Sequence, residues 1–316
     1  MEGPARKIVV LGTGGTIAGT APDAGDHVGY RAAQLGVAAL VAAAAGGTWL
    51  PSWQLETEQV AQIDSADLTH AVWQLLVRRA AAHLARDDVG ALVVAHGTDT
   101  LEETAYLLHR VLAPAKPLVL TAAMRPATAL QADGPQNLND ALTVAAESGA
   151  RGVLAVIGGQ VFAGAELRKQ HPYRLDAFGA GDAGALGAVE QGTLRRWREW
   201  PSGAPLGPQV VEREVRSWPR VEIVTSHAGS DGRIVDALLA QGVDGLVVAG
   251  VGNGHVHTAL QAALARARAR GVAVALTTRC TQGVVVGATD DAGALTPVQA
   301  RVELLLRLLA APPEPG

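Results

Sequence analysis

Two short segments hold the residue types best suited to chemistry. Gly12-Thr13-Gly14-Gly15-Thr16-Ile17-Ala18-Gly19 follows the apolar run Lys7–Leu11. His96-Gly97-Thr98-Asp99-Thr100-Leu101-Glu102-Glu103-Thr104 follows the apolar run Ala91–Ala95. Glycine lets a backbone come close to a ligand, and both segments add threonine hydroxyls. A phosphate-binding role fails at specific positions. The dinucleotide fingerprint needs glycine where Ile17 stands, and the Walker pattern needs a lysine that the first turn lacks. A plain turn between strand and helix would also suit the first segment. Helix capping accounts for Thr100 and Glu103 in the second. It does not account for a hydroxyl at matching places in both.

The surrounding elements must bring these turns together. Lys7–Leu11, Ala91–Ala95, Pro117–Thr121, Gly152–Ile157, Val221–Thr225, Gly245–Ala249 and Val272–Leu276 read as strands. Several are continuously apolar, as parallel strands covered on both faces should be. Helical patterns span Asp67–Arg86, Leu101–Leu112, Asn137–Ser148, Asp231–Gln241 and Val256–Arg270. The last carries Arg266, Arg268 and Arg270 before Gly271, which suits a helix C-terminus. Alternating strand and helix predicts α/β layers. In open α/β sheets, ligands bind beyond the carboxyl ends of the strands, where both turns lie.

The alternation breaks between Gln191 and Pro219, a stretch rich in Pro, Gly and charge that reads as a linker. The sequence therefore predicts two α/β domains. Residues 1–200 form the larger, with a mainly parallel sheet, and 220–316 the smaller, also with a parallel sheet; 201–219 link them. The tail Pro312–Gly316 is expected to be disordered. No repeat of solenoid period is seen.

Composition narrows the function class. With 316 residues and 48% hydrophobic content the chain can bury a large core. A formal net charge of -4 offers no basic face for nucleic acid. The apolar run Gly36–Gly47 is too short to span a bilayer, and the N-terminus shows no signal-peptide pattern. The single cysteine, Cys280, forms no internal disulfide, which fits the cytoplasm; it is expected to be buried and inert. His255 and His257 lie near a helix start with no third ligand, so neither a metal nor any other cofactor is expected.

The two segments resemble the two signatures of the bacterial-type asparaginases and glutaminase-asparaginases. Further matches follow in order: Ala123-Met124-Arg125-Pro126, Ala132-Asp133-Gly134-Pro135 with Asn137-Leu138, and Gly250-Val251-Gly252-Asn253-Gly254. The resemblance runs from about residue 7 to the C-terminal helical region and is weakest in the linker. It implies hydrolysis of L-asparagine to L-aspartate and ammonia through a threonine-bound acyl-enzyme, with weaker glutaminase or D-asparaginase activity.

By the same resemblance, Thr16 is the nucleophile and Tyr30, in a lid loop Gly19–Arg31, assists it. Thr98, Asp99 and Lys169 form a relay. Gly15, Ser65, Thr98, Asp99, Ala123 and Asn253 line the substrate. Ser65 holds the α-carboxylate, the Ala123 carbonyl orients the amide, and Asn253 reaches a neighbouring subunit's site. The residue types suit this chemistry. A hydroxyl is a poor nucleophile until a base takes its proton. A lysine near its ordinary pKa of about 10.4 acts as a base only after burial lowers it. Backbone N–H groups at the Thr98 turn would stabilise an oxyanion. His96 looks catalytic but is expected to hold its turn by hydrogen bonds.

Two departures bear on selectivity. Ala66 stands where many members carry Gln or Glu against the substrate ammonium. The segment Arg279–Pro297 is short and offers only Asp290 or Asp291 for an acidic contact with a partner's site. The resemblance also implies a homotetramer built from dimers, or at least a homo-oligomer with shared sites. Two other readings stand beside this one. One is the asparaginase-like subunit of a transfer-RNA-dependent amidotransferase, which normally carries an extra N-terminal domain. The other is a catalytically dead sensor, which the intact Thr16, Thr98, Asp99 and Lys169 argue against.

Overall fold

A computed structural model describes residues 6–44, 52–288 and 291–311. Pro312–Gly316 and Asp290 lie outside them, as do the last residues of the Gly36–Gly47 run. The chain divides into two compact units, Met1–Pro208 and Gln209–Gly316.

The first unit opens with β1 (Arg6–Gly14), α1 (Val37–Ala44), β2 (Trp53–Ile63), α2 (His70–Leu84), β3 (Val89–Ala95) and α3 (Leu101–Leu112). It continues with β4 (Pro117–Thr121), α4 (Gly134–Ala146), β5 (Gly152–Ile157) and β6 (Gln160–Ala163). A two-residue ribbon, β7 (Arg168–Lys169) with β8 (Phe178–Gly179), precedes the hairpin β9 (Gly187–Glu190) and β10 (Thr193–Arg196). Eight strands form one sheet in the order β10-β9-β6-β5-β4-β3-β1-β2. The five from β2 to β5 are parallel, and β6, β9 and β10 extend them antiparallel.

Strand alternation splits the core into two faces. Ile8, Val10, Val93, Val119, Leu154 and Val156 pack with α1 and α4 in one apolar cluster. Val9, Leu11, Leu92, Val94, Leu118 and Leu120 are equally buried from the alternate positions. With β1 lying between β2 and β3, strand order reverses there. That reversal is where α/β sheets form a ligand crevice.

Differences from expectation include the following. The stretch beginning at Gln191 is partly sheet. Gln191 and Gly192, both at positive φ, make the two-residue turn from β9 into β10, and Trp200 enters the main core. Strand β2 has no continuous apolar run, because its polar residues pair outward. Glu56 binds Lys7 and Arg86, and Glu58 binds Arg79 and His83. Helix α2 begins at His70 rather than Asp67. Ser65–Asp67 is a separate 3-10 turn, and the Thr69 hydroxyl accepts the Val72 N–H as the helix cap.

The second unit carries β11 (Val221–Thr225), α5 (Arg233–Ala240), β12 (Gly245–Gly250), α6 (Thr258–Ala269), β13 (Ala273–Thr278) and α7 (Pro297–Ala310). Its three strands form a parallel sheet, β11-β12-β13, with Val224, Leu246 and Val248 packed against Leu260 and Leu264. A reciprocal capping box between Thr296 and Gln299 starts α7. Gly271 follows α6 with φ +82, the left-handed position expected for it. Among the described residues no helix is long and apolar enough to cross a membrane.

Candidate active site

The first turn leaves β1 through a sheet irregularity. Register slips between Gly12 and Gly14, and the Gln59 side chain donates to the Gly12 carbonyl at 3.2 Å while accepting the Val37 N–H at 2.7 Å. Gly14 and Gly15 then adopt φ +103 and +80, which a side chain would resist. A β-carbon on Gly15 would fall 2.5 Å from the Gly97 nitrogen. The first turn thus lies directly on the second, and Thr16 and Thr98 follow the two touching glycines. Gly15 spends its own backbone groups on the fold: its N–H donates to Ile63 O at 2.8 Å and its carbonyl accepts from Ala33 at 3.0 Å.

Buried Thr16 meets Tyr30, with 2.6 Å between the two hydroxyl oxygens. Burial pushes the Tyr30 phenol above its ordinary pKa, against the opposing pull of the Thr16 hydrogen bond; nearby Asp64 and Asp99 push it further up. Tyr30 sits near the end of a loop stitched to the segment after β4. Ala127 N–H donates to Gly19 O at 2.8 Å, Leu130 N–H to Ala24 O at 3.1 Å, and Ala21 N–H to the Thr128 hydroxyl at 2.8 Å. His27 Nδ1 lies 3.2 Å from the Tyr173 hydroxyl.

The second turn supplies Thr98 and Asp99, and Lys169 of β7 joins them. Lys169 Nζ donates to Thr98 Oγ1 at 2.9 Å and to Asp99 Oδ1 at 2.6 Å. The Lys169 backbone N–H donates to the buried Glu102 carboxylate at 2.6 Å. One stretch, 98–102, therefore grips both ends of the lysine. Buried Ser65 accepts the Asp99 N–H on its Oγ at 3.1 Å, and its carbonyl accepts the Thr100 hydroxyl at 3.0 Å. Accepting through oxygen leaves the Ser65 hydroxyl hydrogen available to donate.

His96 is wholly buried, and its tautomer can be deduced. Nδ1 faces the Gly97 carbonyl at 2.7 Å and must be the donor, so Nε2 accepts from Thr104 Oγ1 at 3.2 Å. Thr104 in turn accepts from Trp73 Nε1 at 2.9 Å. Desolvation lowers the His96 pKa to about 4. The imidazole is a neutral strut for the Gly97–Thr98 turn.

Ala123 follows β4, the strand bonded to the second turn, and lies near Ile17 of the first. The β4 residue Thr121 accepts the His96 N–H at 2.9 Å, and a β-carbon on Gly134 would meet Ile17 at 3.0 Å and Ala123 at 3.4 Å. Asn253 belongs to the second unit. Its side chain donates to Val286 O at 3.1 Å and accepts from Val286 N at 2.7 Å. Cys280 corrects the expectation of burial: it is exposed, on the loop after β13, where no apolar layer covers it. Among the described residues, no group of three or more His, Cys, Asp or Glu could hold a metal ion.

The model of the N-terminal asparaginase domain matches residues 7–201, and that of the glutaminase/asparaginase C-terminal domain matches 220–312. The chain belongs to the asparaginase family. It is 34% identical over 313 residues to L-asparaginase 2 of Escherichia coli (strain K12), covering 96% of this chain and 88% of that one. It is 34% identical over 270 residues to the glutaminase-asparaginase of Pseudomonas fluorescens biotype A, covering 85% and 74% respectively. The crystal structure of a probable cytoplasmic L-asparaginase from Campylobacter jejuni superposes with a TM-score of 0.86 at 32% identity, covering 96% of this chain and 95% of that one. The mixed α/β architecture is that of the family. The first unit of this member brings Thr16 to Tyr30, and Thr98 to Asp99, Lys169 and Ser65. Sequence reasoning missed Glu102 as the anchor of Lys169. Its place in the first turn of α3 reads as a helix-start acid, and the distant return of β7 brings Lys169 to it.

Proposed function

We propose that this amidohydrolase-family chain hydrolyses L-asparagine to L-aspartate and ammonia, with Thr16 as nucleophile. The observation that carries the reading is the 2.6 Å contact between Thr16 Oγ1 and the Tyr30 hydroxyl. Thr16 Oγ1 attacks the side-chain amide carbon as its proton passes to the Tyr30 oxygen and the phenol proton passes on to the amide nitrogen. The C–N bond breaks, the nitrogen leaves as ammonia, and a β-aspartyl ester remains on Thr16. Water then attacks the ester, returning the proton to Thr16 and freeing aspartate. Thr98, polarised by Lys169, and backbone N–H groups of its turn stabilise the oxyanion.

Asp99 receives the α-ammonium, Ser65 donates to the α-carboxylate, and the Ala123 carbonyl accepts from the amide. Gly15 borders the substrate as a spacer. Ala66 provides no polar side chain, so ammonium binding leans on Asp99. Glutamine, longer by one methylene, which discriminates only modestly, is a weaker substrate; D-asparagine, of opposite configuration, is another. Asn253 serves a neighbouring subunit's site in a homo-oligomer. The free thiol of Cys280 fits a reducing cytoplasm.

Ammonia release from L-asparagine, L-glutamine and D-asparagine, measured beside Thr16→Ala, tests the reading. Release fastest from L-asparagine and lost in the variant is expected. Equal activity in a folded Thr16→Ala protein would overturn the nucleophile assignment. Light scattering tests the assembly; a monomer at assay concentration would overturn it.

A further inference from the structure

The motif Ala132-Asp133-Gly134-Pro135 with Asn137 stands in the sequence without a chemical task, and the structure gives it one. Asp133 lies just before α4 and turns its carboxylate back onto the loop after β4. Oδ2 accepts the Met124 N–H and Oδ1 the Arg125 N–H, both at 2.9 Å. Asn137, one turn into α4 and buried, donates to Asp133 Oδ2 at 3.0 Å and to Ala122 O at 2.9 Å. Its own Oδ1 accepts the Gly158 N–H at 3.0 Å, so all three atoms available for hydrogen bonding on its amide are used.

These bonds bracket one peptide group. Ala122 O is held on one side of Ala123, and Met124 N–H on the other. The Ala123–Met124 peptide is trans, so its N–H and C=O point in opposite directions. With the N–H drawn to Asp133, the Ala123 carbonyl faces away from Asp133. Ala123 itself packs beside Ile17 across Gly134, next to the Thr16 turn. We infer that Asp133 and Asn137 are positioning residues that aim the Ala123 carbonyl at the amide nitrogen of the substrate. The inference rests on the proposed function, in which that carbonyl accepts a hydrogen bond from the scissile amide.

The clamp has a signature that a purely structural role lacks. An amide offers N–H donors to the Ala123 carbonyl, whereas the β-methyl ester of L-aspartate offers none. Both substrates release aspartate from the same acyl-enzyme. In Asp133→Asn, the carboxamide keeps one acceptor and turns its NH2 toward a backbone N–H. Its kcat/KM for L-asparagine should fall about tenfold or more, while kcat/KM for the ester falls less than threefold. Asn137→Ala should show the same selective loss and serves as the second variant if the first does not fold. Equal losses on both substrates, or no loss on either, would overturn the clamp. A wild-type chain that releases aspartate from neither substrate would overturn the proposed function, and the clamp with it.

Discussion

Gly15 and Gly97 touch through their backbones, with no space for a side chain on either. A β-carbon on Gly97 would fall 2.6 Å from Ser65 Cβ, and one on Gly15 would fall 2.5 Å from Gly97 N. The turns after β1 and β3 are thereby pressed into one site, and a third segment, carrying Ser65, is locked beneath them.

Gly15→Ala should therefore cost both stability and activity. The variant combines strain at φ +80 with overlap against fixed backbone. A loss of about 2–4 kcal/mol in urea unfolding is expected. Ammonia release should drop at least tenfold in the fraction that remains folded. An active, equally stable variant would show that the contact is not needed.

His96 gives a stability that depends on pH. Its folded pKa of about 4 lies below the ordinary value of 6.5. As pH falls below 6.5, the unfolded chain takes up a proton that the folded chain refuses. The contribution is thus complete above pH 6.5 and lost as pH falls toward 4, up to roughly 3 kcal/mol. His96→Asn should be less stable at pH 7 yet lose less stability between pH 7 and pH 4. Urea titrations at the two pH values would show this, and identical slopes for the two proteins would contradict it.

Tyr30→Phe removes the hydroxyl beside Thr16 while keeping the ring. A drop in kcat of about 100-fold or more is expected, with KM little changed. Because burial raises the Tyr30 pKa, the phenol keeps its proton at neutral pH, as the proposed relay requires. A variant with unaltered kcat would remove Tyr30 from the reaction.

Lys169→Met should separate activity from stability. The lysine side chain is 19% exposed and Asp99 is 52% exposed, so their pair is open to water and contributes little to folding. The melting curve should hardly move, while kcat falls about 1000-fold as Thr98 loses its donor. A large melting shift with retained kcat would reverse the assignment, making Lys169 structural.

Parts of this arrangement could be read in the sequence for a physical reason. Strands such as Val89–Ala95 and Gly152–Ile157 are buried on both faces, so their residues form unbroken apolar runs. The turns after β1 and β3 carry enough glycine and threonine to stand out. Strand β2 did not stand out, because its alternating pattern includes Glu56 and Glu58, whose cations sit on β1 and α2. The hairpin β9–β10 was hidden for a different reason. Each strand has only four residues, and Arg195 and Arg196 on its outer edge look like linker charge. In the site, Thr16 and Thr98 were legible as turn hydroxyls. The grip of Glu102 on Lys169 spans 67 positions, and no local pattern encodes a partner that far away.

The loop bearing Tyr30 is fastened at several points to residues 127–130 and, through His27, to Tyr173. The loop that these bonds hold is the one that brings the Tyr30 hydroxyl to Thr16. On the proposed mechanism, release of aspartate is expected to require those fastenings to loosen, which places a ceiling on turnover that is independent of the chemistry at Thr16. Solvent viscosity would then slow the overall cycle more than the first burst of ammonia.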